Sequence, residues 1–177
     1  QVLHDHDEIA IIPPVSGGSS PGVLKRMNAP ATDVSLLLTD HPLDAAAAVA
    51  YVSRPDAGGI ALFLGTTRRE SHPESGELLH LEYHAYPEMA EKEMGRLVAL
   101  AAAQWPLLAV ALHHRVGEVK VGEASVAIAV ATGHRADAFA ACRYLIDELK
   151  KSVPIWKKEQ YERSATWQGL DTPGPGE

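Results

Sequence analysis

Cysteine is nearly absent from this 177-residue chain, Cys142 being the only one. No intramolecular disulfide can form, and a cysteine-rich metal site is excluded. Long apolar runs are missing too: no stretch approaches the roughly 20 residues that span a bilayer, and no secretory leader is visible. Positive charge is in deficit, with 16 Lys+Arg against 23 Asp+Glu and a net charge of −7. That balance, without aromatics interleaved among basic residues, argues against broad binding to nucleic acid. The nine histidines show no metal-ligand spacing. The expectation is a cytoplasmic protein with no metal, no cofactor, no membrane segment and no nucleic-acid partner.

What is present is the composition of a soluble globular protein, long enough for one domain with a tail. Residues 1–33 differ from the rest. Pro13-Pro14, Gly17-Gly18, two serines and Pro21-Gly22 follow a short apolar run, which reads as a strand end and a flexible linker. The chain opens at Gln1 rather than at a methionine, as a piece of something longer would. A periodic domain is expected over 34–177.

Within it, VSLLL (34–38) reads as a strand, and DHPLDAAAAVAYVS (40–53) as a helix capped by Asp40. GGIALFLGTT (58–67) is a strand, RRESHPESGE (68–77) a polar loop and LLHLEYHAY (78–86) a strand. A long helix follows over 87–105, with Pro87 in its first turn and Met94, Leu97, Val98 and Ala101 as its apolar stripe. Strands are expected over 107–119 and 124–133. The second alternates Val126, Ile128 and Val130 with a face of alanines, small enough to admit a closely packed helix. HRADAFAACRYLIDELKK (134–151) is expected to be that helix, carrying Phe139, Cys142, Ile146 and Leu149 inward until Pro154 stops it. Strands and helices alternate, yet short turns also join strands directly, so the class is mixed α+β rather than doubly wound.

Three basic clusters stand out in this acidic chain. The segment ELKKSVPIWKKE (148–159) holds Lys150, Lys151, Lys157 and Lys158 around a proline and a tryptophan. Lysines at a helix C-terminus are explained by the helix dipole, and lysine runs are usually solvated. The alternative is that the break at Pro154 folds the chain back, with Trp156 as anchor, so that a lysine from each piece enters one pocket. Crowded there, a lysine becomes usable for proton transfer near neutral pH. His134 and Arg135 sit where a strand gives way to a helix, a geometry that suits a phosphate or carboxylate, though His134 could merely cap or pack. Arg68 and Arg69 follow a strand and could clamp a phosphate bidentately, or lie on the surface as most arginines do. His114 shares a strand face with Val110 and Leu112 and reads as a core histidine; Cys142 reads as structural. If the clusters converge, they form a pocket for a small phosphorylated anion.

The segments FLGTTR, LEYHAYPEMAEKEM, HHRVGEVKVGEASV, GHRADAFAACRYLIDELK and VPIWKKE, in this order, resemble the large, catalytic subunits of molybdopterin synthases, from about Gly58 to Trp167. DEIAIIPPVSGG (7–18) resembles the C-terminus of that family's small, ubiquitin-like sulfur carrier. The resemblance implies a fusion, with carrier tail and linker over 1–33 and the catalytic domain over 34–177. It implies a largely antiparallel sheet packed with helices, of the α/β-hammerhead type. The implied activity is sulfur transfer from the thiocarboxylated Gly17-Gly18 end of a carrier to cyclic pyranopterin monophosphate, forming the dithiolene of molybdopterin. Lys150 and Lys157 would then be catalytic, and Arg68, His134, Arg135 and Lys158 would bind substrate, with Arg68 favoured over Arg69 by alignment. A homodimer of large subunits with a carrier at each end is implied. Basic residues that the family often places after the tryptophan matching Trp167 are missing from WQGLDTPGPGE. A non-catalytic phosphometabolite-binding module and a Gly-Gly-tail docking module are the rival readings; both would tolerate Lys150→Arg, whereas a proton-transfer role would not.

Overall fold

The computed structural model describes residues 32–168, without the side chains of Trp167 and Gln168. Gly17, Gly18, their linker and the stretch after Gln168 lie outside the described residues. Four strands form the first sheet in the order β1 (Asp33–Thr39), β5 (Leu107–Arg115), β7 (Ala124–Thr132), β2 (Gly59–Thr66). β1 runs parallel to β5 and the other pairings are antiparallel. In the second sheet β4 (Gly76–Ala85) pairs antiparallel with β3 (Ser71–His72), β6 (Gly117–Lys120) and β8 (Ile155–Tyr161), and β9 (Ala165–Gln168) flanks β8. Three helices accompany the sheets among the described residues: α1 (Ala45–Val52), α2 (Pro87–Ala102) and α3 (Arg135–Ser152). The architecture is the expected mixed α+β.

The two faces of the first sheet take different partners. Val110, Leu112, Ile128 and Val130 share one face, against Met94, Leu97 and Val98 of α2 and Ala138, Ala141, Leu145 and Leu149 of α3. Ala109, Ala111, Ala129 and Ala131 form the other face, against Ala48 and Val52 of α1. The alanine face therefore receives α1, not α3. An eight-residue, alanine-rich helix has little bulk to offer, and alanine against alanine lets it approach closely. α3 carries larger side chains and fills the deeper Val/Ile side.

Other expectations need correction at the level of single residues. The cap of α1 is Asp44, whose carboxylate accepts from the Ala47 amide at 2.9 Å, rather than Asp40. Pro42 separates the two aspartates, and a residue before proline avoids helical backbone angles. Phe139 is 66% exposed. The inward stripe of α3 runs through Ala138, Ala141, Cys142, Leu145, Ile146 and Leu149, and Phe139 is rotated roughly 100° from Ala138. The polar loop after β2 contains the short hairpin of β3 and β4.

The strand expected over 107–119 divides at Val116. Its amide bonds to the Thr39 carbonyl at 2.8 Å, and Gly117 then adopts φ +75°, a region that glycine enters without strain. The chain leaves the first sheet there and joins the second as β6. Two more connections make the same crossing, from β2 into β4 and from α3 into β8. Two connections return, from β4 through α2 to β5 and from β6 to β7, so five crossings border the space between the two sheets.

Candidate active site

A cavity of about 640 Å³ occupies that space. Its size suits a small metabolite rather than a macromolecule. Arg68, Lys150 and Lys157 line it, together with Glu70, Tyr83, His114, Ser125 and Glu159. Apolar walls come from Phe63, Leu81, Val126, Ile146 and Leu149.

The two lysines meet because of how α3 ends. Lys150 stands in its last turn, where cations complement the helix dipole. The C-cap Val153 is extended (φ −76°, ψ 126°), as a residue preceding proline must be, and is 2% exposed. Pro154 prevents a further turn and β8 starts at Ile155. Along β8 alternate side chains face opposite ways: Ile155, Lys157 and Glu159 reach the cavity, while Trp156 is buried with its ring edge-on to Tyr86 at 5.5 Å. Trp156 therefore fixes β8 from behind and sets the direction of Lys157.

Of the expected site residues, the structure brings Arg68, Lys150 and Lys157 together. Arg69 is not part of the cavity wall, and neither is Lys158, whose side chain alternates away from Lys157 along β8. His134 is the N-cap of α3 and Arg135 its first residue, as the strand–helix junction suggested. Both lie outside the cavity wall. Sixteen residues of helix separate His134 from Lys150, roughly 24 Å along the axis. Convergence of all three basic clusters within one chain does not occur.

Carboxylates, tyrosine and histidine complete the site, and the sequence reading had not assigned them to it. Glu159 is 6% exposed; it accepts a hydrogen bond from Lys157 Nζ at 2.9 Å and another from the Tyr161 hydroxyl at 3.2 Å. Glu70 accepts from Arg68 Nε at 2.6 Å. Their signal was present as an i,i+2 spacing from each cation, which places both on one side of an extended chain. Lys150, by contrast, has no carboxylate partner among the described residues. Two cations are thus tethered and one is available to a ligand.

His114 is buried as expected, but it also faces the cavity. Its Nδ1 lies 2.8 Å from the Arg115 carbonyl, and its ring meets Tyr83 edge-on at 5.2 Å. Burial pushes its pKa down to about 4, against a smaller upward pull from the Arg115 carbonyl. Cys142 packs on Ile128, and burial raises its thiol to about 11. It is a structural residue and does not line the cavity.

Two outcomes follow from these partners. Glu159→Gln keeps the side-chain shape but removes the charge that holds Lys157; because Lys157 is 36% exposed, the loss is about 1–2 kcal/mol, read as a lower midpoint in urea denaturation, and an unchanged midpoint contradicts the pairing. The second concerns pH. His114 binds its proton at a lower pH in the folded chain than the ordinary 6.5 of the unfolded one. The unfolded state therefore takes up the proton first, and stability is full above pH 6.5 and falls towards pH 4. This one group contributes about 3 kcal/mol over that window. Denaturation curves at pH 7 and 4.5 measure the slope, which should flatten in His114→Phe. His113, buried and shifted the same way by desolvation, adds to the slope.

Known proteins share this sequence and fold. The family profile described as MoaE protein matches residues 38–152. A molybdopterin synthase catalytic subunit of Arabidopsis thaliana is 45% identical over 135 residues, 76% of this chain and 67% of the relative. One of Homo sapiens is 48% identical over 118 residues, 67% of this chain and 62% of the relative. Among solved structures, molybdopterin synthase from Staphylococcus aureus superposes with a TM-score of 0.71 at 31% identity, covering 75% of this chain and 96% of that one. A complex of subunits 1 and 2 of the molybdopterin-converting factor from Helicobacter pylori shares the fold at 17% identity and a TM-score of 0.61, over 76% of this chain and 88% of that one. With the family profile spanning most of the chain and the relatives close in sequence, the chain belongs to the MoaE family, that of molybdopterin synthase catalytic subunits.

Proposed function

We propose that this chain performs the sulfur transfer of a molybdopterin synthase. It converts cyclic pyranopterin monophosphate to molybdopterin with sulfur from the thiocarboxylated Gly-Gly terminus of a small carrier. The observation that carries this reading is the meeting of Lys150, Lys157 and Arg68 in one metabolite-sized cavity of a MoaE-family chain. A lysine there can protonate the departing oxygen as each carbon–sulfur bond forms, or activate the water that clears the acyl carrier from the new sulfur. Arg68 neutralises phosphate, a role for which its fork of donors is suited.

The proposed partner is a ubiquitin-like carrier; the two-subunit complex from Helicobacter pylori, alike in fold, supports such a pairing. The proposed assembly is a homodimer of catalytic subunits with a carrier at each end, working in the cytoplasm. His134 and Arg135 bear on it: lying at the opposite end of α3 from Lys150, they can contact the same substrate only by serving the cavity of a second copy. Beside them runs β2, an edge strand with Ile60, Leu62 and Leu64 each more than 40% exposed on one face, and Gly59 packs directly on the Arg135 backbone. Such an apolar row favours burial against another chain. Lys158 has a supporting role only, since its side chain leaves the cavity.

The N-terminal segment is read as the end of a fused carrier, with residues 1–33 as its tail and linker. Gly18 is followed by Ser19, and sulfur loading needs a free glycine carboxylate, so the fusion is cut after Gly18 before it acts. Mass spectrometry of active enzyme purified from its own cells should find that new terminus; full activity in uncut chain would end this part of the reading.

Single-turnover transfer tests the whole. The chain, mixed with thiocarboxylated carrier and cyclic pyranopterin monophosphate, should yield the dithiolene product. Lys150→Ala should lower the rate by about 100-fold or more, the usual weight of a proton-transfer group, and Lys150→Arg should not restore it. Substrate binding without product in the wild type would instead favour a non-catalytic binding module.

A further inference from the structure

Besides its cations and the carboxylates paired with them, the cavity lining contains two uncharged hydrogen-bonding groups that the protein leaves unused. The first is on His114. A backbone carbonyl can only accept, so the 2.8 Å contact to Arg115 places the imidazole proton on Nδ1. The remaining lone pair is on Nε2, and no described protein group bonds to it. Tyr83 holds the ring plane by its edge-on contact. The second is the Thr67 hydroxyl, in a residue 2% exposed and on the cavity wall, with Oγ1 buried and without a partner. The Thr67 backbone is pinned at both ends, its amide to the Glu123 carbonyl at 2.9 Å and its carbonyl to the Gly122 amide at 2.7 Å.

The neighbouring hydroxyls have committed their protons. The Tyr83 hydroxyl donates to Ser125 Oγ at 3.3 Å, and Ser125 passes its own proton to the Gly65 carbonyl at 3.4 Å. Buried hydroxyls without a partner are rare in native proteins because desolvating them is costly. Thr67 is explained if its partner arrives with a ligand. Gly65, Phe63 and Val126 also line the cavity, and Val126 packs so closely on Gly65 that a Cβ there would come within 2.6 Å of it. An acceptor and a hydroxyl beside apolar side chains are what the polar edge of a heterocycle needs.

We propose that His114 and Thr67 form a neutral subsite for the heterocyclic part of the ligand, an N–H of the ring donating to His114 Nε2 and a ring carbonyl or imine nitrogen pairing with the Thr67 hydroxyl. The inference rests on the pterin substrate proposed above and adds to it a division of labour. The rim of Arg68, Lys150 and Lys157 holds the anionic end of the molecule, and the wall selects the ring. These two residues discriminate among phosphorylated compounds, which the cations alone cannot do.

Calorimetric titration of the purified chain, its Thr67→Val variant and its His114→Phe variant tests this with two probes, cyclic pyranopterin monophosphate and inorganic phosphate. Each substitution removes one neutral hydrogen bond, so each should weaken the pterin by about tenfold and leave phosphate unaffected. Because the Thr67 hydroxyl has no partner in the free protein, Thr67→Val should melt no lower than the wild type. Pterin binding by Thr67→Val within about twofold of wild type overturns the subsite, and so does a parallel loss for both probes. Should His114→Phe fail to fold, Thr67→Val decides alone. A wild-type chain that does not bind the pterin overturns the functional reading and the subsite with it, whereas wild-type binding with indifferent variants overturns the subsite only.

Discussion

Everything at the site depends on the conformational limits that one proline imposes. Pro154 cannot continue α3, and it forces Val153 into an extended conformation before it. Val153 is buried, so the break is also held by packing and cannot drift. The result is that Lys150, presented by a helix, and Lys157, presented by a strand, reach the same cavity although seven residues separate them. A continuous helix would place the two almost on one face but about 10 Å apart along its axis. The turn brings them in instead from two directions, as opposing sides of a site require. Trp156 completes the arrangement, since a large buried ring on the back of β8 resists rotation of the strand that would carry Lys157 out of the cavity.

The site's charge is managed by pairing rather than by burial alone. An acidic protein can keep a basic cavity only if the cations do not repel one another out of it. Glu159 beneath Lys157 and Glu70 beside Arg68 reduce that repulsion. They also restrict where those two side chains point, so binding a ligand costs less conformational entropy there. Lys150 has no such tether among the described residues, so its side chain keeps its conformational freedom.

Much of this was legible in the sequence, and the limits of legibility are physical. The strand at 34–38, the stripe of α2 and the stop at Pro154 follow from local periodicity and backbone sterics, which act over a few residues. The lysines could be named because a proline and a tryptophan between them implied a reversal. The partner of the alanine face could not be read. Small residues say that something approaches closely, not which of two helices does so, and α1 and α3 lie on opposite sides of the same sheet. Phe139 misled because its spacing to Cys142, Ile146 and Leu149 fits a helical repeat, whereas the buried stripe is centred on Ala138, Ala141 and Leu145 and leaves Phe139 outside its edge. Convergence of His134 with the lysines failed for a similar reason: a helix joins the two clusters, and an 18-residue helix keeps its ends apart. His114 was legible as buried, but whether a buried residue borders a cavity depends on the second sheet, in which β4 pairs with residues 34 to 83 positions away in sequence.

The placement of Cys142 bears on where sulfur chemistry can occur. Its thiol packs on Ile128 within the core, and with a pKa raised to about 11 it holds almost no thiolate at neutral pH. The cavity wall contains no sulfur. A chain built this way can position, polarise and protonate, but it cannot offer a sulfur nucleophile of its own. The sulfur transfer proposed above would therefore need the atom to enter on a second molecule. On that reading a terminal Gly-Gly has a suitable form: without side chains it is the narrowest of peptides, and its terminal anion would be drawn towards the one cavity cation, Lys150, that no carboxylate tethers among the described residues.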